Sequence, residues 1–252
     1  MNFWTKIITR WEDDKLYSFS SWFRIIYLLI PLLIYYVVGD LTEIIQWGVL
    51  NVILGRSSEE VLRFATDNAG SVHAIIYSVG TIVSCAVIWP MIRNEITYQE
   101  AGSTVSKLDG RKIAILIVTS LAASVGLNYI FYVTGLTGSS DAFREVYESQ
   151  YSVSFGVGII VYGLISPLVE EAIFRGIIFN RMKRVFPRIL AIIVSAMLFG
   201  MFHGNFIQGL YGFLMGLLMV WFYDRYKHFG APVIIHIVAN ISVFVLDYMN
   251  VL

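Results

Sequence analysis

Seven windows of roughly 20 apolar residues recur along this 252-residue chain, near 22–39, 71–92, 113–135, 153–174, 188–204, 206–223 and 231–248. Few folds are open to such a chain. Inside a hydrocarbon layer every backbone N–H and C=O must find its partner within the protein, so only helices and closed barrels cross it. Windows of this length are helix-sized. Charged residues make up 14% of the chain and hydrophobic ones 57%, with a mean hydropathy of +0.70, where a soluble domain carries about 25% charge. The expected fold is all-α: a polytopic transmembrane helical bundle of about seven spans (six to eight), forming a single integral membrane domain over 1–252. The segment 42–54 reads as an interfacial helix or a re-entrant piece. Gly209, Gly212 and Gly216 lie at small-residue spacing and are expected to pack helices closely.

The basic residues alternate from one connection to the next. Lys6, Arg10, Lys15 and Arg24 precede the first span, and Arg93, Lys107, Arg111 and Lys112 separate the second from the third. Arg175, Arg181, Lys183, Arg184 and Arg188 separate the fourth from the fifth, and Arg225 and Lys227 the sixth from the last. The intervening connections hold only Arg56, Arg63 and Arg144. The rule that Lys and Arg stay in the cytoplasm then puts the N-terminus inside and the C-terminus outside. Met1 to Asp14 lacks the short apolar core and cleavage site of a removable signal, so a retained multi-pass protein of the cell membrane is expected. Zero net charge and a pI near 6.9 give no support for a nucleic-acid partner. A single cysteine, Cys85, rules out an intramolecular disulfide and a cysteine-rich metal site.

Against this apolar background Glu170, Glu171 and Arg175 are costly, at about 2.5–3.5 kcal/mol each on insertion scales. Glu171 and Arg175 are four apart, on one helix face, with the acid first. Glu170 is rotated by about 100° from its neighbour and projects elsewhere. Glu171 is thus expected to be structural and Glu170 free to react. His203 ends the run from Phe199, and a reversal at Phe186-Pro187 would set Glu170 and His203 each about 24 Å from the turn, at one depth. His236 and Asn240 share a face of the last span, and Pro232 suits its first turn. His73 and His228 lie at span ends without such company and are given no role. Asp224, read as a loop residue, is expected to be dispensable.

A carboxylate in an apolar cavity is suited to act as general base on water, which one imidazole can orient. A second imidazole and an amide can donate hydrogen bonds to an oxyanion. Alternatively Glu170, His203 and His236 are the two-histidine, one-carboxylate set of a catalytic zinc with an open position. Both schemes hydrolyse an acyl bond within a membrane, and the spacing leaves them both open. The chain has no His-Glu-x-x-His helix, no Gly-x-Gly-Asp and no serine in a Gly-x-Ser-Gly setting.

Glu170-Glu-Ala-Ile-Phe-Arg175, Phe199-Gly-Met-Phe-His203 and His236-Ile-Val-Ala-Asn240 resemble, in order, the three motifs of the CPBP family. These are the CAAX-protease and bacteriocin-processing (Abi) intramembrane proteases, related to type II prenyl endopeptidases. The resemblance covers about 153–245, in a catalytic core placed at 153–248. It implies that Glu170 activates water with His203, that His236 and Asn240 stabilise the oxyanion, and that Glu171, Arg175 and Phe199 support the site. The implied substrate is a membrane-associated peptide or protein, prenylated or not, met in the bilayer by a site open to the cytoplasmic side. Bacterial relatives are linked to peptide maturation, bacteriocin immunity and membrane signalling. The competing readings are a non-catalytic scaffold or immunity protein on the same fold, and a transporter, which paired broken helices in repeated halves would favour.

Overall fold

The computed structural model describes residue 16, residues 19–101 and residues 107–249; the basic positions Lys6, Arg10 and Lys15 lie outside the described residues. Among the described residues nine helices follow one another and no strand occurs. They are α1 (Ser21–Leu54), α2 (Glu59–Asp67), α3 (Ala69–Ala101), α4 (Gly110–Val133), α5 (Asp141–Tyr151), α6 (Phe155–Met182), α7 (Arg188–Met201), α8 (Phe206–Tyr226) and α9 (Gly230–Tyr248). Six of them (α1, α3, α4, α6, α8 and α9) are long and apolar enough to cross a membrane.

Two of the expected segments take a different form. Residues 42–54 form neither an interfacial nor a re-entrant piece: they continue α1, a single helix of 34 residues. Asp40, Glu43 and Gln46 break the hydropathy there without breaking the helix; Gln46 Nε2 reaches Ile76 O on α3 at 3.2 Å. The window 188–204 contains α7, a helix of only 14 residues, about 21 Å long. It stops where Gly204 takes φ +75° and lets the chain reverse. Asn205 then caps α8, its Oδ1 accepting from Gln208 N at 2.9 Å.

Side-chain caps also mark the starts of α1 and α4. Ser20 Oγ accepts from Phe23 N at 3.3 Å, and Asp109 Oδ1 from Lys112 N at 2.9 Å. Pro232 sits in the first turn of α9, where its missing N–H costs nothing.

Polar ties define the two ends of the bundle. At the basic end Arg181 meets Glu95 at 3.0 Å, and Tyr27 Oη donates to the same carboxylate at 2.9 Å. Asp224 lies there too, buried in the last turn of α8 and bonded to Arg188 and Lys227. It is therefore no loop residue: three cations from separate positions, Lys183 included, converge on its carboxylate. At the other end Ser154 N donates to Ser71 Oγ at 2.9 Å, and Trp47 lies against His73. Helices α4 and α9 run side by side, joined by Ser120 Oγ to Ile235 O at 2.6 Å.

The expected glycine contacts form between α7 and α8. A Cβ on Gly212 would lie 3.0 Å from the His203 ring, and one on Gly216 3.2 Å from Phe199. A Cβ on Gly200 would lie 2.4 Å from Gly209 O. The backbones come this close because no side chain intervenes.

Candidate active site

The helix that carries the glutamates is wound irregularly. Ile159–Ile165 and Phe174–Phe179 are π-helical turns, and the α-helical stretch Ser166–Ile173 lies between them. Ser166 N accordingly bonds back five residues, to Val161 O. Such turns insert one extra residue and re-aim the side chains that follow; they recur at functional sites.

Within Ser166–Ile173 the angular offset between the two glutamates has the expected result. Glu170 faces a cavity of about 400 Å³, and Glu171 points into the packed core. Glu171 is fully buried, as is Arg175 at 1% exposure. Arg175 Nη1 donates to Glu171 Oε1 at 2.7 Å and Nη2 to Gly216 O at 3.2 Å. The Arg175 guanidinium lies 4.3 Å from the centre of the Phe199 ring. That ring also meets His203 and His236 edge-on, at 5.0 and 5.6 Å between centroids. Phe199 thus sets the positions of three polar side chains at once.

His236 falls between the two acids. Its Nδ1 is 2.8 Å from Glu171 Oε1, and its Nε2 is 3.9 Å from Glu170 Oε2. Glu171 is therefore the anchor of His236 as well as of Arg175, a pairing across 65 residues that helix arithmetic does not reach. Glu170 is not partnerless either: Ser166, one turn earlier, donates its hydroxyl to Glu170 Oε1. Spacing alone could have found Ser166, which is four residues away on the same face.

His203 sits in the turn after α7. Its Nδ1 lies 2.9 Å from Phe199 O. A carbonyl only accepts, so Nδ1 carries the proton and Nε2 of the neutral ring keeps its lone pair. Non-helical backbone at membrane depth is tolerated where it lines a cavity, and here it does. Asn240 Nδ2 donates to Tyr162 O at 2.9 Å, which leaves its second N–H available. Asn240 also lines the cavity, and its bond to the π-helical turn of α6 ties α9 to the helix of the glutamates. His73 lies at the exposed rim, and His228 Nδ1 accepts from Gly230 N at 3.0 Å at the start of α9.

Glu170, His203, His236 and Asn240 thus converge on one cavity, with Phe199 in its wall and Glu171 and Arg175 behind it. Among the described residues no group of three His, Cys, Asp or Glu side chains is placed to hold a metal ion. The lining includes Thr137 and residues of α5, from the connection that precedes α6, together with His203. The cavity therefore opens at the end opposite the basic connections.

Part of the chain is similar to known proteins. Residues 152–242 match the family model "Rce1-like: Type II CAAX prenyl endopeptidase Rce1-like". That stretch contains both glutamates, Arg175, His203, His236 and Asn240. "Putative membrane peptidase YdiL" of Bacillus subtilis (strain 168) is 23% identical over 176 residues, covering 68% of this chain and 71% of that protein. "Membrane-embedded CAAX protease MroQ" of Staphylococcus aureus (strain USA300) is 31% identical over 98 residues, 36% of this chain and 40% of that protein. No solved structure gives a significant match.

Proposed function

We propose that this chain, which carries an Rce1-like CAAX prenyl endopeptidase domain over residues 152–242, is an intramembrane endopeptidase that uses Glu170 to activate water. The observation that carries this reading is the convergence of Glu170, His203, His236 and Asn240, from three separate regions of the chain, on one cavity. Glu170, oriented by Ser166, takes a proton from water while His203 Nε2 accepts the other hydrogen bond. The hydroxide attacks a peptide carbonyl. His236, held at Nδ1 by Glu171, and the second N–H of Asn240 stabilise the oxyanion. The proton held by Glu170 then passes to the leaving amine, so that one water is consumed and one acid and one amine are released. No step is routed through a metal. The substrate class is a membrane-associated peptide or protein, in peptide maturation, immunity or membrane signalling.

The test is cleavage of a membrane peptide by the purified protein in lipid. Glu170→Gln and His203→Ala are expected to lower turnover by at least about 10²-fold, as loss of a general base does. Arg63→Ala, on the exposed side of α2, leaves it unchanged, and so does a chelator. Undiminished cleavage by the Glu170 variant refutes the assignment. A full cellular role for that variant identifies a non-catalytic scaffold instead.

A further inference from the structure

The cavity and the basic residues occupy opposite ends of the bundle. Three lining residues are well exposed, His73, Val146 and Ser149, and all lie at the end formed by 55–68, 134–154 and 202–205. From that mouth the walls descend past Asn128, Gln208 and Asn240 to Glu170, His236 and Met219. Among the described residues, none of the lining comes from 171–198 or from 220–235. The floor is backed by Phe174, Phe179 and Tyr223, which are fully buried. Beyond them lie the ion clusters around Glu95 and Asp224. The cavity is therefore a blind well, closed towards the basic end.

The charge pattern gives this well a direction. Among the described residues, 11 of the 15 Lys and Arg lie at the closed end or in the connections there, and Arg175 lies between the two ends. The connections at the mouth carry only Arg56, Arg63 and Arg144, beside Glu59, Glu60, Asp67, Asp141, Glu145 and Glu148. Connections rich in Lys and Arg are retained in the cytoplasm, whereas acidic residues contribute little to orientation. A bias this large, alternating from connection to connection, fixes the closed end inside.

We propose that the mouth of the site opens on the extracytoplasmic face, so that its substrate is a peptide segment presented on that side of the membrane. The substrate half of this statement rests on the protease reading; the orientation does not. Cys85→Ala gives a cysteine-free background in the full chain. Single cysteines are then placed at the mouth, Ser149→Cys, and at the basic end, Lys107→Cys, both exposed positions. A membrane-impermeant maleimide applied to intact cells is expected to label the first fully and the second only after permeabilisation. The reverse pattern, or equal labelling of both in intact cells, overturns the proposal. Glu145→Cys and Arg111→Cys, also exposed, repeat the comparison should either first variant fail to accumulate. Labelling needs no turnover, so a chain that cleaves nothing still reports its orientation, and failure of the protease reading remains separate from failure of this one.

Discussion

Glu171 Oε1 takes two donors at once, Arg175 Nη1 and His236 Nδ1, in a site without water access. One half of this arrangement is written in the chain. Acid and base four apart on a helix share a face, and apolar surroundings favour their pairing. The other half joins residues 65 apart and follows only from how α6 and α9 pack. Asp224 was hidden for much the same reason: Lys227 is three residues on, but Lys183 and Arg188 belong to distant parts of the chain that no local pattern connects to it. Removing Arg175 strands a buried carboxylate and empties the space over Phe199. Arg175→Ala is expected to destabilise the protein by about 3–5 kcal/mol, read as a lower midpoint of thermal unfolding in detergent or lipid. Arg175→Lys should recover only part of this loss, because a point charge cannot bond both Glu171 and Gly216 O as the guanidinium fork does.

At the scale of elements, hydropathy placed the long helices well because lipid selects for apolar length and little else. It erred where polar residues enter a helix without ending it, as at Asp40 to Gln46 in α1. It erred again where an apolar run outlasts its helix, as after Met201. The π-helical turns of α6 were out of reach, since a single inserted residue leaves an apolar run as apolar as before. Yet those turns flank Ser166–Ile173, and with it the aim of Glu170. The crossing of α7 and α8 was legible as glycine spacing, though its purpose was not: it seats His203 against Gly212. Gly200→Ala puts a methyl group 2.4 Å from Gly209 O, where only backbone movement relieves the clash. The expected cost is about 1–3 kcal/mol of stability, measured by thermal unfolding. His203 rides on the same turn, so cleavage should fall further than the loss of folded protein explains.

For the molecule as a whole, the all-α class follows from composition and the span count to within six to eight, and the direction of the site does not. Helix arithmetic gives depth along an axis, not which way a cavity drains. That depends on which helix ends splay and which are pinned. Glu95 and Asp224 pin one end, while α5 and the turn at His203 leave the other open. The shortness of α7 carries a consequence for the surrounding lipid. Ile189, Met197 and Met201 are 73%, 49% and 74% exposed, so one side of this helix faces the acyl chains. Its length of about 21 Å falls short of a hydrocarbon core of about 30 Å. Hydrophobic mismatch of this kind thins the adjoining leaflets at a cost of fractions of a kcal/mol per Å. Reconstituted protein should therefore be more stable in bilayers of short-chain than of long-chain phosphatidylcholine, as thermal unfolding would show, and it should gather where a membrane is thinnest.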